Sequence, residues 1–238
     1  EICITYGAEA GTGVTEELGP GWGDGLLSSA TMVGMDGIAV FDRRIGASNF
    51  VHSTDGVDVT DISGGTLVVE RFSDQAVLGG RVIFRAAEGT GFSADTEVWA
   101  SDGTVDGTVR VFDVEPGATG SMPNDFRSDG VFVWFVAGTL SDGIEIWRTD
   151  GTDAGTMLAI ETAAAAESML PRQLAPFGEG ELAFVAGSNN LFLSDGTTEG
   201  TTEFVVGADG SFVVDRPADS EGGVVFRASD GTSGDEPW

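Results

Sequence analysis

Short apolar segments of strand length recur along the chain. They are GIAVFD (37–42), RVIFRA (81–86), FVWFVA (132–137), ELAFVA (181–186) and GVVFRA (223–228). Their Val, Ile and Phe residues alternate with polar ones or run continuously, which is typical of buried strands. Turn-forming residues recur about every ten positions, and only ETAAAAES (161–168) favours a helical turn. The pattern predicts an all-β fold of short strands.

A second motif follows these strands and shows that the chain is a repeat. EVWASDGTVDGT (97–108) recurs as EIWRTDGTDAGT (145–156) and as NLFLSDGTTEGT (190–201). Weaker copies are EICITYGAEAGT (1–12) and NFVHSTDGVDVT (49–60), and EPW (236–238) starts a further copy. We therefore expect a single repeat domain, 1–238, with repeats 1–48, 49–96, 97–144, 145–189 and 190–235.

Each repeat contains the elements of a four-stranded sheet. A third strand follows each well-kept motif, as in VRVFDV (109–114), and a weaker strand such as RQLAPF (172–177) precedes the next apolar segment. Four short strands per period of about 40–50 residues are typical of propeller blades. The sequence thus predicts a β-propeller of about five four-stranded blades. The alternative is a β-solenoid-like array, although the Asp-Gly turns favour antiparallel meanders.

The motif resembles the bacterial ELWxxDGT repeat family. The likeness is closest in EVWASDGTVDGTVRVFDVEPG (97–117) and good in EIWRTDGTDAGTMLAIE (145–161), whereas the first copy has Tyr6 in place of the aspartate. This resemblance implies a secreted or cell-surface protein with a propeller-like fold. It implies no catalytic residues.

The net charge of the chain limits the classes of partner that it is expected to bind. The chain has 39 acidic and 11 basic residues, a formal net charge of −28, and no lysine. Nucleic-acid binding is not expected, because phosphate recognition needs clusters of basic residues. Membrane insertion is not expected either, because no apolar run reaches the roughly 18–20 residues of a spanning helix. The acidity fits a soluble extracellular protein, a collector of divalent cations or adaptation to salt, and we favour a saline or marine extracellular setting.

Acidic residues in the Asp-Gly-Thr turns are candidate calcium ligands, since calcium binds several carboxylate oxygens around glycine-bearing loops. The candidates are Asp102, Asp106, Asp150, Asp153, Asp195 and Glu199. However, the loops lack the EF-hand pattern, and the second acid changes position between repeats. The favoured alternative is an Asx-turn, in which the Asp accepts backbone N–H groups, Gly has positive φ and Thr starts the next strand.

Other chemistry finds little support. His52 is the single histidine, so zinc sites built on histidines and Ser-His-Asp catalysis lack their residues or context. Cys3 is the single cysteine, which excludes an intrachain disulfide. No carboxylate pair stands out from the repeat pattern as a glycosidase pair.

A column of aromatic residues is expected in the core between blades, with sugar stacking as the alternative. Its members are Trp99, Trp147, Phe192 and Trp238.

The connections before the motif differ in length between repeats, as in 86–96 and 137–144. Binding on a repeat scaffold is usually carried by such loops. We therefore expect a non-catalytic binding or structural module for adhesion, matrix or surface-appendage assembly. Its partner would be a protein, a glycan or a copy of itself. The alternative is an extracellular carbohydrate-active enzyme or its accessory propeller domain.

Overall fold

The computed structural model describes residues 2–5, 12–15, 32–45, 48–69, 74–89, 95–162, 169–204, 217–220, 223–229 and 235–237. Over those ranges the secondary structure is strand without helix, which confirms the all-β prediction. No helix in the described part of the chain has the length and hydropathy of a membrane span. Most of the predicted helical turn at 161–168 lies outside the described residues.

The strands in chain order are β1 (Ile2–Thr5), β2 (Thr12–Thr15), β3 (Met32–Met35), β4 (Ile38–Ile45), β5 (Ser48–Thr54), β6 (Val59–Asp61), β7 (Leu67–Val69), β8 (Gln75–Leu78), β9 (Arg81–Glu88), β10 (Thr96–Ser101), β11 (Val109–Phe112), β12 (Asn124–Ser128), β13 (Val133–Thr139), β14 (Gly143–Thr149), β15 (Met157–Ile160), β16 (Arg172–Pro176), β17 (Leu182–Ala186), β18 (Asn190–Ser194), β19 (Thr202–Phe204), β20 (Ala218–Ser220), β21 (Gly223–Val225), β22 (Arg227–Ser229) and β23 (Asp235–Pro237).

Two sheets are the four-stranded antiparallel meanders that the repeat predicts, β12 to β15 and β16 to β19. The preceding strands form a larger, nine-stranded sheet, because β7 pairs with both β5 and β9 and so joins two groups of strands. Leu67, Val68 and Val69 are all buried, so the join is apolar. The remaining described strands form the pairs β1–β2, β20–β21 and β22–β23. The described strands do not close into a barrel or ring.

Both faces of the central strands are covered, as predicted. Trp134 and Phe135 are neighbours on β13, so their side chains lie on opposite faces of the sheet. Both are completely buried. Phe135 packs with residues of the preceding sheet, such as Ile83, and Trp134 packs with residues of the following sheet, such as Leu182. The sheets are therefore stacked face to face around successive apolar layers.

The motif strand has the same register in the well-kept copies and in the weak copy. Trp147 lies opposite Phe135, and Trp99 lies opposite Phe84. In the weak copy 49–60, aligning the two motifs residue by residue would put Val51 in this position. The structure instead places His52 there, opposite Phe41, with the two rings stacked at 5.9 Å. The weak copy has one residue more before its Asp-Gly pair than EVWASDGT has, which accounts for the offset.

Candidate functional site

The Asp-Gly-Thr turns are Asx-turns, as the favoured alternative predicted. Oδ1 of Asp102 accepts hydrogen bonds from the backbone N–H of Thr104 at 2.9 Å and from its hydroxyl at 2.7 Å. Asp150 and Asp195 hold the corresponding threonines in the same way. Gly103, between Asp102 and Thr104, has φ of +89°, a conformation that glycine adopts without steric cost.

One detail of the predicted turn was wrong, because the first threonine does not start the next strand. The hydroxyl oxygen of Thr104 accepts the N–H of Gly107 at 2.9 Å, and its carbonyl oxygen accepts the hydroxyl of Thr108 at 2.6 Å. The hydroxyls of Thr108 and Ser101 lie 2.7 Å apart and close the turn. The strand β11 therefore begins at Val109, after the whole turn.

The six calcium candidates lie in three separate turns. Thr104 hydrogen bonds, first from the hydroxyl and then from the backbone N–H, lower the pKa of Asp102. Among the described residues, one group of at least three metal-ligating side chains has its ligand atoms within 4.8 Å of one another: Asp95, Glu97 and Asp113. This group contains none of the six candidates. Calcium binding by the candidates in the Asp-Gly-Thr turns therefore stays a hypothesis.

Donors contact all three of these acidic side chains, although among the described residues Oδ1 of Asp95 and Oδ1 of Asp113 have no hydrogen-bond partner. Arg110 Nη1 lies 3.1 Å from Asp95 and 3.6 Å from Asp113. Glu97 is completely buried, and burial raises the pKa of its carboxyl group, while hydrogen bonds from Ser121 and Val114 oppose that rise. The Arg110 guanidinium, backbone N–H groups and the Ser121 hydroxyl thus stabilise the negative charge of this group.

Glu97 also organises the segment that follows β11. Its carboxylate accepts the N–H of Val114 at 3.0 Å, and the N–H and hydroxyl of Ser121 at 2.8 and 2.6 Å. In the next repeat the Glu145 carboxylate accepts the N–H and hydroxyl of Thr162. Glu97 thereby fixes the segment 114–121, and Glu145 holds Thr162 in the same way.

A cleft of about 290 Å³ lies between the segment 115–124 and the β13–β14 hairpin. Apolar groups of Met122, Leu140 and Ile144 line it, together with polar groups of Glu115 and Asn124. Leu140 is 81% exposed at the tip of the hairpin. The variable connection 137–144 is therefore one wall of the cleft. The other predicted connection, 86–96, lies partly outside the described residues.

Hydrogen bonds hold the two walls at a fixed separation. Gly138 donates its N–H to the carbonyl of Ser121 at 2.9 Å, and Leu140 donates its N–H to Oε2 of Glu115, also at 2.9 Å. Met122 has φ of +53°, a strained conformation for a side chain of this size. Such strain persists where the surrounding structure fixes the backbone, which is common at binding sites. The cleft is preformed in the free protein.

Sequence reasoning missed the 115–124 wall, because Glu97 fixes it from 17 to 24 residues away. The available signal was the Pro- and Gly-rich stretch EPGATGSMP (115–123), which resembles an ordinary loop.

The cleft does not have the composition of a catalytic centre. Among the described residues, Glu115 is the only ionisable side chain that lines it, so no carboxylate pair lies there in that part of the chain. His52 is 3% exposed and packs in the aromatic column, where burial lowers its pKa. The arrangement can bind an apolar group beside one carboxylate.

Comparison with known proteins gives a likeness of fold only. No family model matches the sequence, and no curated protein matches it. A mutant puromycin hydrolase complexed with PGG is similar over 87% of this chain and 35% of that chain, with a TM-score of 0.54 and 14% identity. An acylaminoacyl peptidase of Pyrococcus horikoshii is similar over 84% of this chain and 32% of that one, with a TM-score of 0.46 and 11% identity. The chain spans about a third of the length of each.

Proposed function

We propose that the protein is a non-catalytic binding module made of consecutive propeller blades, with the cleft between 115–124 and the β13–β14 hairpin as its ligand site. The preformed apolar cleft on an uneven loop carries this proposal, because a framework of constant strands with a variable concave site is typical of binding scaffolds. The ligand would present an apolar group, since the side chains of Met122, Leu140 and Ile144 line the cleft.

Five four-stranded blades and membership of the ELWxxDGT family are part of the proposal. The two four-stranded meanders stacked face to face support the blades, and so does the likeness to the propeller domain of the puromycin hydrolase. The net charge of −28 supports a saline extracellular setting. In that setting the module would serve adhesion or assembly at a bacterial surface, with a protein as its partner.

The cleft can be tested with small apolar fragments and ¹⁵N-labelled protein. We expect saturable shifts of the amide signals of 115–124 and 137–144. Leu140→Asp should abolish these shifts because it places a charge in the cleft, whereas Val57→Asp, at a 71% exposed position elsewhere, should not. Shifts scattered over the surface, or equal loss in both variants, would contradict the proposal.

The second candidate is an accessory domain of a longer hydrolase. The chain matches only about a third of the puromycin hydrolase structure, which favours this possibility. An antibody to this chain, used on extracts of the source cells, distinguishes the two. A polypeptide of the size of a two-domain hydrolase, copurifying with hydrolytic activity, would favour the enzyme. A product without such activity would favour the independent module.

A further inference from the structure

The aromatic column has a smaller ring on β18 than on β10 and β14. Trp99 and Trp147 lie opposite Phe84 and Phe135 and are 6% and 9% exposed. Phe192 occupies the same place on β18, opposite Phe184. A phenyl ring is smaller than an indole, so this layer lacks one ring of the size that the two preceding layers contain.

A cavity of about 170 Å³ lies at this position. Its apolar wall is formed by Phe184, Phe192 and Met169. The two phenylalanine rings stack at 5.4 Å with an interplanar angle of 11°, so they present a flat aromatic surface. Phe184 is buried and Phe192 only half-buried, which leaves the cavity open to solvent on one side.

Polar groups surround the opening of the cavity. Thr198 and Thr201 line it, and so does Glu161. The Thr198 hydroxyl oxygen accepts the N–H of Glu161 at 2.9 Å and keeps a second lone pair. A ring N–H that enters beside the Phe192 ring therefore has an acceptor available. By contrast, the buried indole N–H of Trp147 has no hydrogen-bond partner among the residues that the structure describes.

The geometry points to a binding site for a planar aromatic group of about indole size. The matching layer around Trp147 shows which shape this framework accommodates, and Phe112 packs against that indole at 6.2 Å. For scale, an apolar cavity of about 150 Å³ holds a benzene molecule. A neutral ring is favoured over an anionic one, because the Glu161 carboxylate lies at the opening and the whole chain is acidic.

The site shares no residue with the cleft at 115–124, so the two can be tested separately. We would titrate ¹⁵N-labelled protein with indole and follow the amide signals of Phe184, Phe192 and Thr201. Saturable shifts confined to this region are expected. Phe192→Trp should fill the cavity and weaken indole binding at least about tenfold, a loss of about 1.4 kcal/mol of binding free energy. Phe204→Trp, on the neighbouring strand β19 and away from the cavity, should bind indole as the unmodified protein does.

Three further probes distinguish the ligand classes. Indole-3-acetate should bind more weakly than indole because it is anionic. N-acetyltryptophanamide binding as tightly as indole supports the site and assigns the ring to a peptide. Methyl β-glucoside binding in preference to indole would make this a sugar site and overturn the inference, as would indole shifts that persist in a folded Phe192→Trp variant.

Discussion

A Cβ atom placed on Gly107 would lie 1.9 Å from Oδ1 of Asp102. The same overlap occurs between Gly155 and Asp150, at 2.1 Å. Gly107 does not have positive φ, so the space above its Cα, and not its backbone conformation, requires glycine. The aspartate and the second glycine of the motif are therefore a steric pair, since the carboxylate occupies the volume that a side chain would fill.

Gly155→Ala tests this pairing. The added methyl group must displace the Asp150 carboxylate from its bonds to Thr152, and overpacking of this kind costs about 1–3 kcal/mol. The free energy of unfolding, measured by urea denaturation, should fall by that amount. Gly34→Ala is the matched control, because a Cβ there meets no atom within 4 Å and φ is not positive. Equal effects of the two substitutions would contradict the pairing.

The sequence predicted what depends on local chemistry. The Asp102 turn was predicted because an aspartate before glycine accepts nearby backbone N–H groups whatever surrounds it. The β13 strand was predicted because its residues are apolar on both faces. The β7 pairing was not predicted, and neither were the particular partners of Glu97, because both join segments that are distant in the chain. The position of His52 opposite an aromatic residue was not predicted, because the weak copy has one residue more before its Asp-Gly pair than the well-kept copies have.

Calcium should not change the stability of the turns. Oδ1 of each turn aspartate accepts hydrogen bonds from a threonine, so a calcium ion would have to compete with those bonds for this oxygen. At constant ionic strength, the calorimetric melting midpoint should be the same with millimolar calcium as with magnesium. A rise specific to calcium, removed by Asp106→Asn with Asp153→Asn, would instead establish the turns as calcium sites.

Glu97 should give the protein a distinct pH dependence. Its folded-state pKa is raised above the ordinary value of 4.5, first because of burial, so the folded state binds more protons than the unfolded state between the two pKa values. Its contribution to the free energy of unfolding therefore falls as pH rises from the unfolded to the folded pKa. Urea denaturation across this range should show the loss in the unmodified protein and not in Glu97→Gln.

Asp102 should change the stability with pH in the direction opposite to Glu97. Its folded pKa lies below the ordinary value of 3.8, so the stability it contributes is present above 3.8 and is lost as pH falls from 3.8 through the folded pKa. Difference curves for Asp102→Asn should therefore diverge at acid pH, away from the Glu97 range. If the Glu97→Gln and Asp102→Asn curves had the same slope, the burial account of Glu97 would be wrong.

Asp125 connects two sheets and should be sensitive to loss of its carboxylate. Its Oδ2 accepts the N–H of Leu174 in the following sheet at 2.7 Å, and Oδ1 lies 2.6 Å from Arg127 Nη2. Asp125→Ala leaves the buried Leu174 N–H without this acceptor, which costs about 1–3 kcal/mol. It also places alanine at φ of +57°, which asparagine tolerates better. Asp125→Asn keeps an oxygen for Leu174 and should lose clearly less stability in urea denaturation. A loss as large in Asp125→Asn as in Asp125→Ala would show that the charge opposite Arg127, and not the bond between the sheets, is what stabilises this position.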